Sequence, residues 1–464
     1  MPDPGLGPRP AHRLILGYLL VIAVGTALLY APISAAPGGR GVGLVDAIFT
    51  ATSATCVTGL VVLDTARDFS KFGQGVILVL FQLGGLGVMT FSTMLLLGVR
   101  GRASMAVREA TGDSLGAGSG PRLLPTLRGV FLLTVAFEAV GAVLLFLTWT
   151  FGGGSSTGGA WTRAWDAVFH SVSAFCNAGF STFGDKSLTA FRGSLAVNAI
   201  VSVLIVAGGL GFVSLLELGR LLPLRRWRGG PRRVSSHTWM AVTVSAVLIL
   251  VGAVAIYLLE YGRTLQGMSD GQKLLASLFQ SVTARTAGFN TLDVGAMAAP
   301  TLFLLIVLMF VGASPCGTGG GIKTTTIGVL MATAWARLRG KEEAQCFGRS
   351  VPRDTVVRAA MLTILSAAIV GLVLLIFLSV EPGEKLGTSG EEGGFLRSAF
   401  EVVSAFGTVG LSTGITDKMN VLGKLLIAAL MLVGRVGPLS LAVALSRPSR
   451  QQLVRMPESD VLVG

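Results

Sequence analysis

Four short segments of this sequence share hydroxyl residues, an alanine and a glycine in one order, which places the same chemical groups at four positions. Each segment begins with Phe, passes through Ser or Thr followed by Ala, and reaches a Gly that a large apolar residue follows. These repeat segments cover residues 49–60, 169–180, 279–289 and 400–411, and the third is one residue shorter than the others. We call their glycines the repeat glycines: Gly59, Gly179, Gly288 and Gly410.

Segments of this kind can bind a cation through backbone carbonyl oxygens. Each is too short to cross a membrane and predicts a re-entrant half-helix followed by an extended loop. Extended backbone at membrane depth is tolerated only where it lines a water-filled path or is buried in protein. Four such loops around one axis would present a ring of carbonyl oxygens, which can replace the hydration shell of a monovalent cation. The negative C-terminal ends of the half-helices would also favour a cation over an anion.

The residues that lead up to the repeat glycines are therefore our candidates for an ion selectivity filter. They are Cys56, Val57, Thr58, Gly59, Cys176, Asn177, Ala178, Gly179, Thr286, Ala287, Gly288, Gly407, Thr408, Val409 and Gly410.

The elements that position these segments are membrane spans. Of the 464 residues, 52% are apolar and 13% are charged, and the mean hydropathy is +0.72. This composition excludes a soluble globular protein and a disordered chain, and four cysteines are too few for a disulfide scaffold. Eight apolar runs are long enough to cross the hydrocarbon core, and the repeat segments lie between odd-numbered and even-numbered runs. The runs are near residues 14–30, 76–97, 130–149, 195–216, 239–259, 302–330, 359–380 and 421–445.

The distribution of charge predicts the orientation of the chain in the membrane. The two tails and the loops near 98–128, 217–238 and 335–358 hold 22 Lys and Arg against 9 Asp and Glu, whereas the alternate loops hold 13 against 14. Positive charge accumulates on the cytoplasmic side of membrane proteins, so both termini are predicted to be cytoplasmic. The basic clusters are thus interpreted as topology determinants near lipid headgroups, and no nucleic-acid partner is expected.

The sixth run is interrupted at residues 312–321, where Pro and several glycines disfavour a continuous helix. A flexible break in an ion path predicts a gate, and the alternative is a helix kink relieved by packing. The sequence 317–326 resembles a phosphate-binding loop, but Ile322 stands where a glycine is required before the lysine. The candidate gate residues are Gly312, Gly317, Gly319, Gly320, Gly321, Lys323 and Arg435.

Arg435 lies within the eighth run, where a charge is costly and tends to face a cavity or a partner. In a cation pathway it would act as an electrostatic barrier below the filter. The alternative is a buried pair with Glu138, since Glu138 is the one carboxylate within the eight runs. We see no dense cluster of acids and bases and no metal-binding motif, so the sequence is not predicted to be an enzyme.

These motifs resemble those of the Trk/Ktr/HKT superfamily of cation transporters over essentially the whole chain. The matching segments are Ser-Ala-Thr-Cys-Val-Thr-Gly59, Thr-Ala-Arg-Thr-Ala-Gly288, Ser-Ala-Phe-Gly-Thr-Val-Gly410, Gly-Gly-Gly-Ile-Lys-Thr-Thr-Thr326, Gly-Arg435-Val-Gly-Pro and the tail from Pro457 to Gly464. Within the superfamily the sequence is most similar to the membrane subunits of bacterial Ktr potassium uptake systems.

The resemblance implies an all-α integral membrane protein with four M1–P–M2 pore-loop repeats arranged pseudo-fourfold around one pore per subunit. It also implies potassium at the filter, because all four repeat glycines are Gly, and a gate formed by the break and Arg435. Further implied features are a homodimer, a cytosolic ring of nucleotide-binding KtrA-type subunits, stimulation by sodium, and location in the bacterial inner membrane. The expected repeats are residues 1–100, 101–222, 223–340 and 341–464.

One function of a different class stays open from the residues alone. A secondary solute transporter could use the broken sixth span as a binding site. Such transporters usually show two related halves, whereas this sequence shows four related segments.

Overall fold

The structure of the protein is a computed structural model. It describes residues 10–87, 123–151, 159–184, 187–219, 221, 234–381 and 391–438. The C-terminal tail with Pro457 and the basic residues Arg108 and Arg225 lie outside the described residues.

The described helices form four consecutive groups, each with a long helix, a short helix and a third helix. The first group comprises α1 (Pro10–Tyr30), α2 (Leu44–Thr55) and α3 (Lys71–Leu86). The second comprises α4 (Leu123–Phe151), α5 (Ala160–Cys176), α6 (Leu195–Leu210) and α7 (Phe212–Gly219). The third comprises α8 (Ser236–Glu260), α9 (Asp270–Thr283), α10 (Ala299–Phe310) and α11 (Thr324–Leu338). The fourth comprises α12 (Arg353–Val380), α13 (Glu391–Gly407) and α14 (Val421–Val436).

Short elements complete the described chain. Four 3-10 turns lie in the connections that precede the third helices and α2: Pro32–Ser34, Thr189–Phe191, Val294–Ala296 and Thr416–Lys418. A two-stranded antiparallel hairpin, β1 (Gln345–Cys346) and β2 (Arg349–Ser350), joins α11 to α12.

The four groups contact one another in a closed order. Within each group the long helix packs against the short helix. Between groups, α3 packs against α5, α6 against α9, α10 against α13, and α14 against α2. The last contact joins the fourth group to the first, so the four short helices surround a common centre. The Phe that opens each repeat segment is at most 1% exposed and anchors its short helix: Phe49, Phe169, Phe279 and Phe400.

Two buried carboxylates fix the ends of the long helices to the starts of the third helices. Glu260, at the end of α8, accepts hydrogen bonds from the backbone N–H of Ala298 at 2.9 Å and from the hydroxyl of Thr301. Glu381, just after α12, accepts one from the backbone N–H of Asn420 at 2.6 Å. A carboxylate at a helix N-terminus satisfies unpaired N–H groups and complements the helix dipole. These two residues therefore position α10 and α14 relative to α8 and α12.

Helices lie at the positions of all eight predicted runs, but residues 88–97 of the second run and 439–445 of the eighth lie outside the described residues. Three of these helices are long and apolar enough to cross a membrane: Thr126–Phe151, Ser236–Glu260 and Arg353–Val380. The pair α6 and α7 meets the same criterion as one broken span, and α1, α3 and α10 contain shorter apolar helices. The predicted interruption of the sixth run is confirmed, because α10 ends at Phe310 and α11 begins at Thr324.

One predicted span has a different shape from the one expected. Its apolar run, the fourth, predicts a continuous helix, but the chain bends by 106° between α6 and α7. The residue at the bend is Gly211, whose φ of 88° and ψ of 142° cannot continue an α-helix. The eighth run likewise leaves its helix at Gly437, with φ 90° and ψ 137°.

Candidate functional site

All four repeat segments adopt the same backbone shape where they leave their short helices. The residue two positions before each repeat glycine is left-handed, with φ of 59°, 59°, 69° and 50° at Val57, Asn177, Thr286 and Thr408. The repeat glycines are left-handed too, with φ of 84°, 71°, 78° and 89° in chain order. A left-handed φ is unfavourable for β-branched residues such as Val and Thr. Its recurrence at one position in all four segments shows that the surrounding fold enforces this geometry.

The repeat glycines lie against one another in chain order. A Cβ added to any of them would press on the carbonyl oxygen of the residue before the next repeat glycine. The oxygens met in this way belong, in order, to Ala178, Ala287, Val409 and Thr58. The fourth segment therefore closes on the first, and the four repeat glycines form one ring with the residues that precede them. Only glycine combines this close approach with the required φ.

The carbonyl oxygens of this ring have no hydrogen-bond partner within the part of the chain that the structure describes. This holds for the residues from Val57 to Gly59, Asn177 to Gly179, Thr286 to Gly288, and Thr408 to Gly410. Ten of these twelve residues are buried, and Gly179 and Gly410 are partly exposed. Buried carbonyl groups are nearly always paired, so this cluster of free carbonyl oxygens is suited to bind a partner from outside the chain. Water or a cation can fill that role.

The serine of the Ser-Ala pair holds the loop against its own helix in three segments. Ser53 donates from its hydroxyl to the carbonyl of Leu60 at 2.7 Å and accepts a hydrogen bond from the N–H of Gly59 at 3.1 Å. Ser173 and Ser404 make the corresponding bonds to the carbonyls of the residues after Gly179 and Gly410. In the third segment the hydroxyl of Thr283 has no partner among the described residues, because that segment is one residue shorter.

Two buried polar residues support the ring from behind, and neither is among the residues predicted from the sequence. They are His170 and Glu401, each directly after the Phe that opens its segment. The His170 Nε2 atom lies 2.9 Å from the hydroxyl of Ser181, and Glu401 accepts a hydrogen bond from the hydroxyl of Ser412. Ser181 and Ser412 both lie two residues after a repeat glycine, so the support is equivalent in the two segments. The sequence does contain a signal for these two residues, because a polar residue follows the Phe in all four segments. Thr50 and Gln280 occupy this position in the first and third segments.

A second glycine pattern, in the third helices, is also absent from the sequence predictions. The helix C-terminal carbonyls of Thr55, Phe175 and Phe406 rest directly on Gly84, Gly208 and Gly434. Three residues later, Gly87, Gly211 and Gly437 end their helices with φ between 83° and 90°. The shared Gly-x-x-Gly spacing could have revealed this contact, but the 63 glycines of the chain obscure it.

We expect Gly208→Ala to lower thermal stability, because its Cβ would overlap the carbonyl oxygen of Phe175. Overpacking of this kind typically costs about 1–3 kcal/mol, and backbone cannot yield as a side chain can. Thermal unfolding in detergent measures the effect. The matched control is Gly371→Ala, since an added Cβ on the exposed Gly371 in α12 meets nothing within 4 Å. A Gly208→Ala variant as stable as Gly371→Ala would contradict this assignment.

The break loop, residues 311–323, is a closed loop beneath the ring, with a parallel bridge between Val311 and Ile322 at its base. Gly312 donates its N–H to the carbonyl of Ile322 at 2.9 Å, and Ala313 donates to Gly320 at 3.3 Å. A Cβ on Gly319 would overlap the hydroxyl of Thr286, and the N–H of Gly320 donates to the hydroxyl of Thr408 at 2.9 Å. The loop thus lies directly against the third and fourth repeat segments.

The tip of the break loop crosses to the second group of helices. The N–H of Ser314 donates to the carbonyl of Gly209 at 2.9 Å, and the N–H of Thr318 donates to that of Gly208 at 3.1 Å. The Thr318 hydroxyl also donates to the carbonyl of Phe175 at 3.3 Å. The bend between α6 and α7 therefore exposes the backbone carbonyls to which the loop tip binds.

Arg435 joins the break loop to the first group of helices. Its guanidinium donates to the backbone carbonyls of Thr318 and Gly84, and its Nε donates to the hydroxyl of Tyr18 at 3.4 Å. Gly84 is the glycine of α3 on which the carbonyl of Thr55 rests. Arg435 belongs to α14 and contacts α3 through Gly84, and the break loop that it also contacts follows α10 and binds α6. These contacts connect the third helices of all four groups below the ring.

The alternative pairing of Arg435 with Glu138 is wrong. Glu138 accepts a hydrogen bond from the side-chain amide of Gln82 at 3.2 Å and contacts the thiol of Cys176. No ion pair links Glu138 and Arg435, both of which the structure describes. Neutral carbonyl dipoles satisfy the guanidinium, so its positive charge is not cancelled by a carboxylate.

Two further cationic side chains bind carbonyl groups of the break loop. Lys323 donates from Nζ to the carbonyl of Gly319 at 2.7 Å and closes the break loop on itself. Arg285 is 7% exposed and donates to the carbonyl of Gly312 at 3.2 Å. It occupies the position taken by Phe175 and Phe406 in the second and fourth segments. The third segment therefore contacts the break loop through a side chain that its counterparts lack.

A wide cavity opens on the side of the ring away from the break loop. It has a volume of about 950 Å³, and all four repeat glycines line its floor. Within the described part of the chain, its walls carry four aspartates and four basic residues, which balance in charge: Asp64, Asp68, Asp293, Asp417, Arg40, Arg67, Arg192 and Lys418. Among the described residues, no group of three or more His, Cys, Asp or Glu side chains could hold a metal ion.

Known proteins match this chain along nearly its whole length. Residues 34–453 match the family model described as TrkH, cation transport protein. The chain is 35% identical over 457 residues to the Ktr system potassium uptake protein B of Bacillus subtilis, covering 98% of this chain and 97% of that protein. It is 33% identical to the potassium/sodium uptake protein NtpJ of Enterococcus hirae, covering 98% of this chain and 97% of that protein.

A solved structure has the same fold. The crystal structure of the potassium transporter TrkH from Vibrio parahaemolyticus superposes with a TM-score of 0.71 and 20% sequence identity. The match covers 96% of this chain and 86% of that one.

Proposed function

The chain belongs to the TrkH family of cation transport proteins, and on that premise we propose that it is the ion-translocating subunit of a potassium uptake system. The observation that carries the proposal is the ring of unpaired carbonyl oxygens at the repeat glycines. Relatives at 33% and 35% identity are named potassium or potassium/sodium uptake proteins, which supports potassium as the transported ion.

We propose that the fifteen candidate residues form the selectivity filter of four M1–P–M2 repeats around one pore. Carbonyl oxygens replace the hydration shell of the ion as it enters the ring. The four short helices end at the ring, and their partial negative charges stabilise a cation there. Because the outer cavity has balanced charge, this preference arises at the ring and not in the cavity. Four contiguous groups also favour a pore over a binding site between two halves.

The break loop and Arg435 are proposed as the gate. The loop lies on the path of an ion leaving the ring, since Gly319 and Gly320 contact Thr286 and Thr408. Arg435 adds an uncancelled positive charge at the same level. Opening requires the loop tip to leave the carbonyls of Gly208 and Gly209, or Arg435 to leave those of Thr318 and Gly84. The glycines of the break loop give its backbone the freedom to move the loop tip away from these carbonyls.

Deleting residues 317–321 is expected to raise basal potassium flux and leave ion preference nearly unchanged. The deletion removes the contacts of Thr318 and Gly320 that hold the loop beneath the ring, while the ring itself is untouched. Rubidium and sodium uptake into cells or vesicles measures both quantities. Gly319→Ala is a milder second variant, since its Cβ would overlap the hydroxyl of Thr286 and displace the loop. If either variant folded normally and lost flux, the break loop would be structural and not a gate.

We further propose that the protein is a multi-pass protein of the bacterial inner membrane with both termini in the cytoplasm. We also propose that the protein is a homodimer regulated by a cytosolic KtrA-type ring. The name of a relative from a Ktr system supports a partner subunit, and the name of a potassium/sodium uptake protein supports sodium as an activator. The exposed arginines Arg337 and Arg349 belong to the cytoplasmic surface that we propose as the docking side of the KtrA-type ring.

Potassium-limited growth tests the proposed function. A bacterial host without its own potassium uptake systems should grow at low potassium when it expresses this chain with a KtrA-type subunit. A Gly410→Asp variant, which places a side chain in the ring, serves as the inactive control because a Cβ there meets the carbonyl of Thr58. Failure of the expressed, membrane-inserted chain to support growth would contradict the proposal.

A further inference from the structure

A second cavity lies at the membrane face opposite to the ring's outer cavity. It has a volume of about 440 Å³ and is enclosed by the starts of α8, α11 and α12 and by the β1–β2 hairpin. Residues just after the far end of α8, including Thr264, line the outer cavity, whereas Ser236 at the start of α8 lines this one. A helix of 25 residues is about 37 Å long, so the two cavities are separated by roughly a membrane thickness.

The lining of this second cavity is amphipathic. Its floor is apolar, because Met240, Val329 and Ala359 form a small buried cluster there. Its rim carries the hydroxyl groups of Ser236 and Thr355 among several others. A floor that is apolar and a rim that donates hydrogen bonds match a ligand with one apolar end and one polar end.

The charge of the rim is positive and unbalanced. Arg349 and Arg358 both line the cavity, are exposed, and form no ion pair with any described residue. No carboxylate of the described residues lines the cavity, and burial raises the pKa of the lining Cys346 thiol, which stays neutral. The nearby carboxylate of Glu217 is already bound by Ser235 and Thr238. Two guanidinium groups with free donors favour an anionic ligand, and the planar guanidinium fork matches the oxygens of a phosphate group.

The surroundings of the cavity are those of a membrane interface. Trp239 and Phe347 stack with ring centroids 6.4 Å apart, and their side chains are 47% and 51% exposed. Exposed aromatic side chains of this kind are typical of the headgroup level of a bilayer. Below them α12 presents Val357, Met361 and Ile364 outward, each more than half exposed. An apolar surface therefore continues from the cavity toward the hydrocarbon core.

We propose that this cavity binds the phosphate-bearing headgroup of an anionic phospholipid, with Arg349 and Arg358 on the phosphate and the acyl chains along α12. Basic pockets between membrane helices are known to hold anionic headgroups. A soluble protein partner would leave the exposed apolar side chains of α12 without a partner, whereas a lipid covers them. The proposal rests on the membrane-embedded fold and not on potassium transport, so either can fail without the other.

Lipid binding is tested on the purified full chain by native mass spectrometry with phosphatidylglycerol and phosphatidylcholine. We expect preferential retention of phosphatidylglycerol, weakened roughly 30-fold in Arg349→Ala/Arg358→Ala, because each surface cation contributes about 1 kcal/mol. The matched control is Arg337→Ala/Arg353→Ala, which removes two exposed arginines on the same face that do not line the cavity. Brominated phosphatidylglycerol should also quench Trp239 fluorescence in the parent and not in the first double variant.

Three results would overturn the proposal. The first is an equal loss of bound phosphatidylglycerol in both double variants, which would indicate a general attraction of the lipid to surface charge and no specific site in the cavity. The second is full displacement of the lipid by inorganic phosphate with no acyl-chain requirement, which would indicate a soluble anion site. The third is unchanged lipid retention together with lost assembly of a KtrA-type ring in Arg349→Ala/Arg358→Ala, which would make the cavity a protein-docking surface.

Discussion

Replacing Arg435 with alanine is expected to raise basal potassium flux by roughly tenfold or more. The positively charged guanidinium is held by the carbonyls of Thr318 and Gly84, and it forms no ion pair with a carboxylate among the described residues. Two positive charges about 4 Å apart at an effective dielectric near 20 repel by roughly 4 kcal/mol. Screening by water and carbonyls reduces this value, but about 1.4 kcal/mol of remaining barrier already corresponds to tenfold in rate.

Flux and thermal stability must be measured together for Arg435→Ala, because the substitution also removes three hydrogen bonds. Arg435→Lys should retain part of the barrier, since it keeps the charge and loses the planar geometry. Lys424→Ala is the matched control in the same helix: it breaks the 2.8 Å ion pair with Asp46 away from the break loop. We expect it to affect stability only. Lower flux together with lower stability in Arg435→Ala would show that the residue is a structural link and not a barrier.

Gly59→Ser is expected to abolish most of the preference for potassium over sodium. The position combines a φ of 84° with a Cβ direction that points onto the carbonyl oxygen of Ala178. A side chain there must push neighbouring carbonyls out of the ring, and a distorted ring no longer matches the dehydrated potassium ion. The ratio of rubidium to sodium uptake measures the change, which we expect to be roughly tenfold because each carbonyl displaced costs on the order of 1 kcal/mol.

The matched control for this prediction is Gly38→Ser. Gly38 has nearly the same φ, 83°, but a Cβ there meets nothing within 4 Å. Both variants therefore introduce the same backbone strain, and only Gly59→Ser alters the ring. A rubidium-to-sodium ratio that is unchanged in Gly59→Ser, or changed equally in Gly38→Ser, would argue against a filter role for the first repeat segment.

The repeat segments were predictable because their pattern is local and recurs four times. Each recurring residue type acts over a short range, since the Phe anchors the helix, the Ser of three segments holds the loop, and the Gly permits the turn. The break in the sixth run was predictable for the same reason, because Pro315 and its glycine neighbours cannot continue a helix.

Long-range partners could not be predicted. From the sequence, Glu138 was the obvious carboxylate for Arg435, but the guanidinium binds backbone carbonyls that helix ends and the break loop leave free. Which carbonyls are free depends on where each helix stops, and those stops are set by Gly87, Gly211 and Gly437 in a glycine-rich chain. Glu401 was missed for a related reason, because its partner Ser412 is brought to it only by the loop that follows.

The location of the transported ion is the central claim, and anomalous X-ray scattering from crystals grown in rubidium tests it directly. We predict rubidium peaks on the axis of the ring, within coordination distance of carbonyl oxygens near Gly59, Gly179, Gly288 and Gly410. Rubidium found only elsewhere, with the ring carbonyls bound to water under conditions in which the protein transports rubidium, would contradict it.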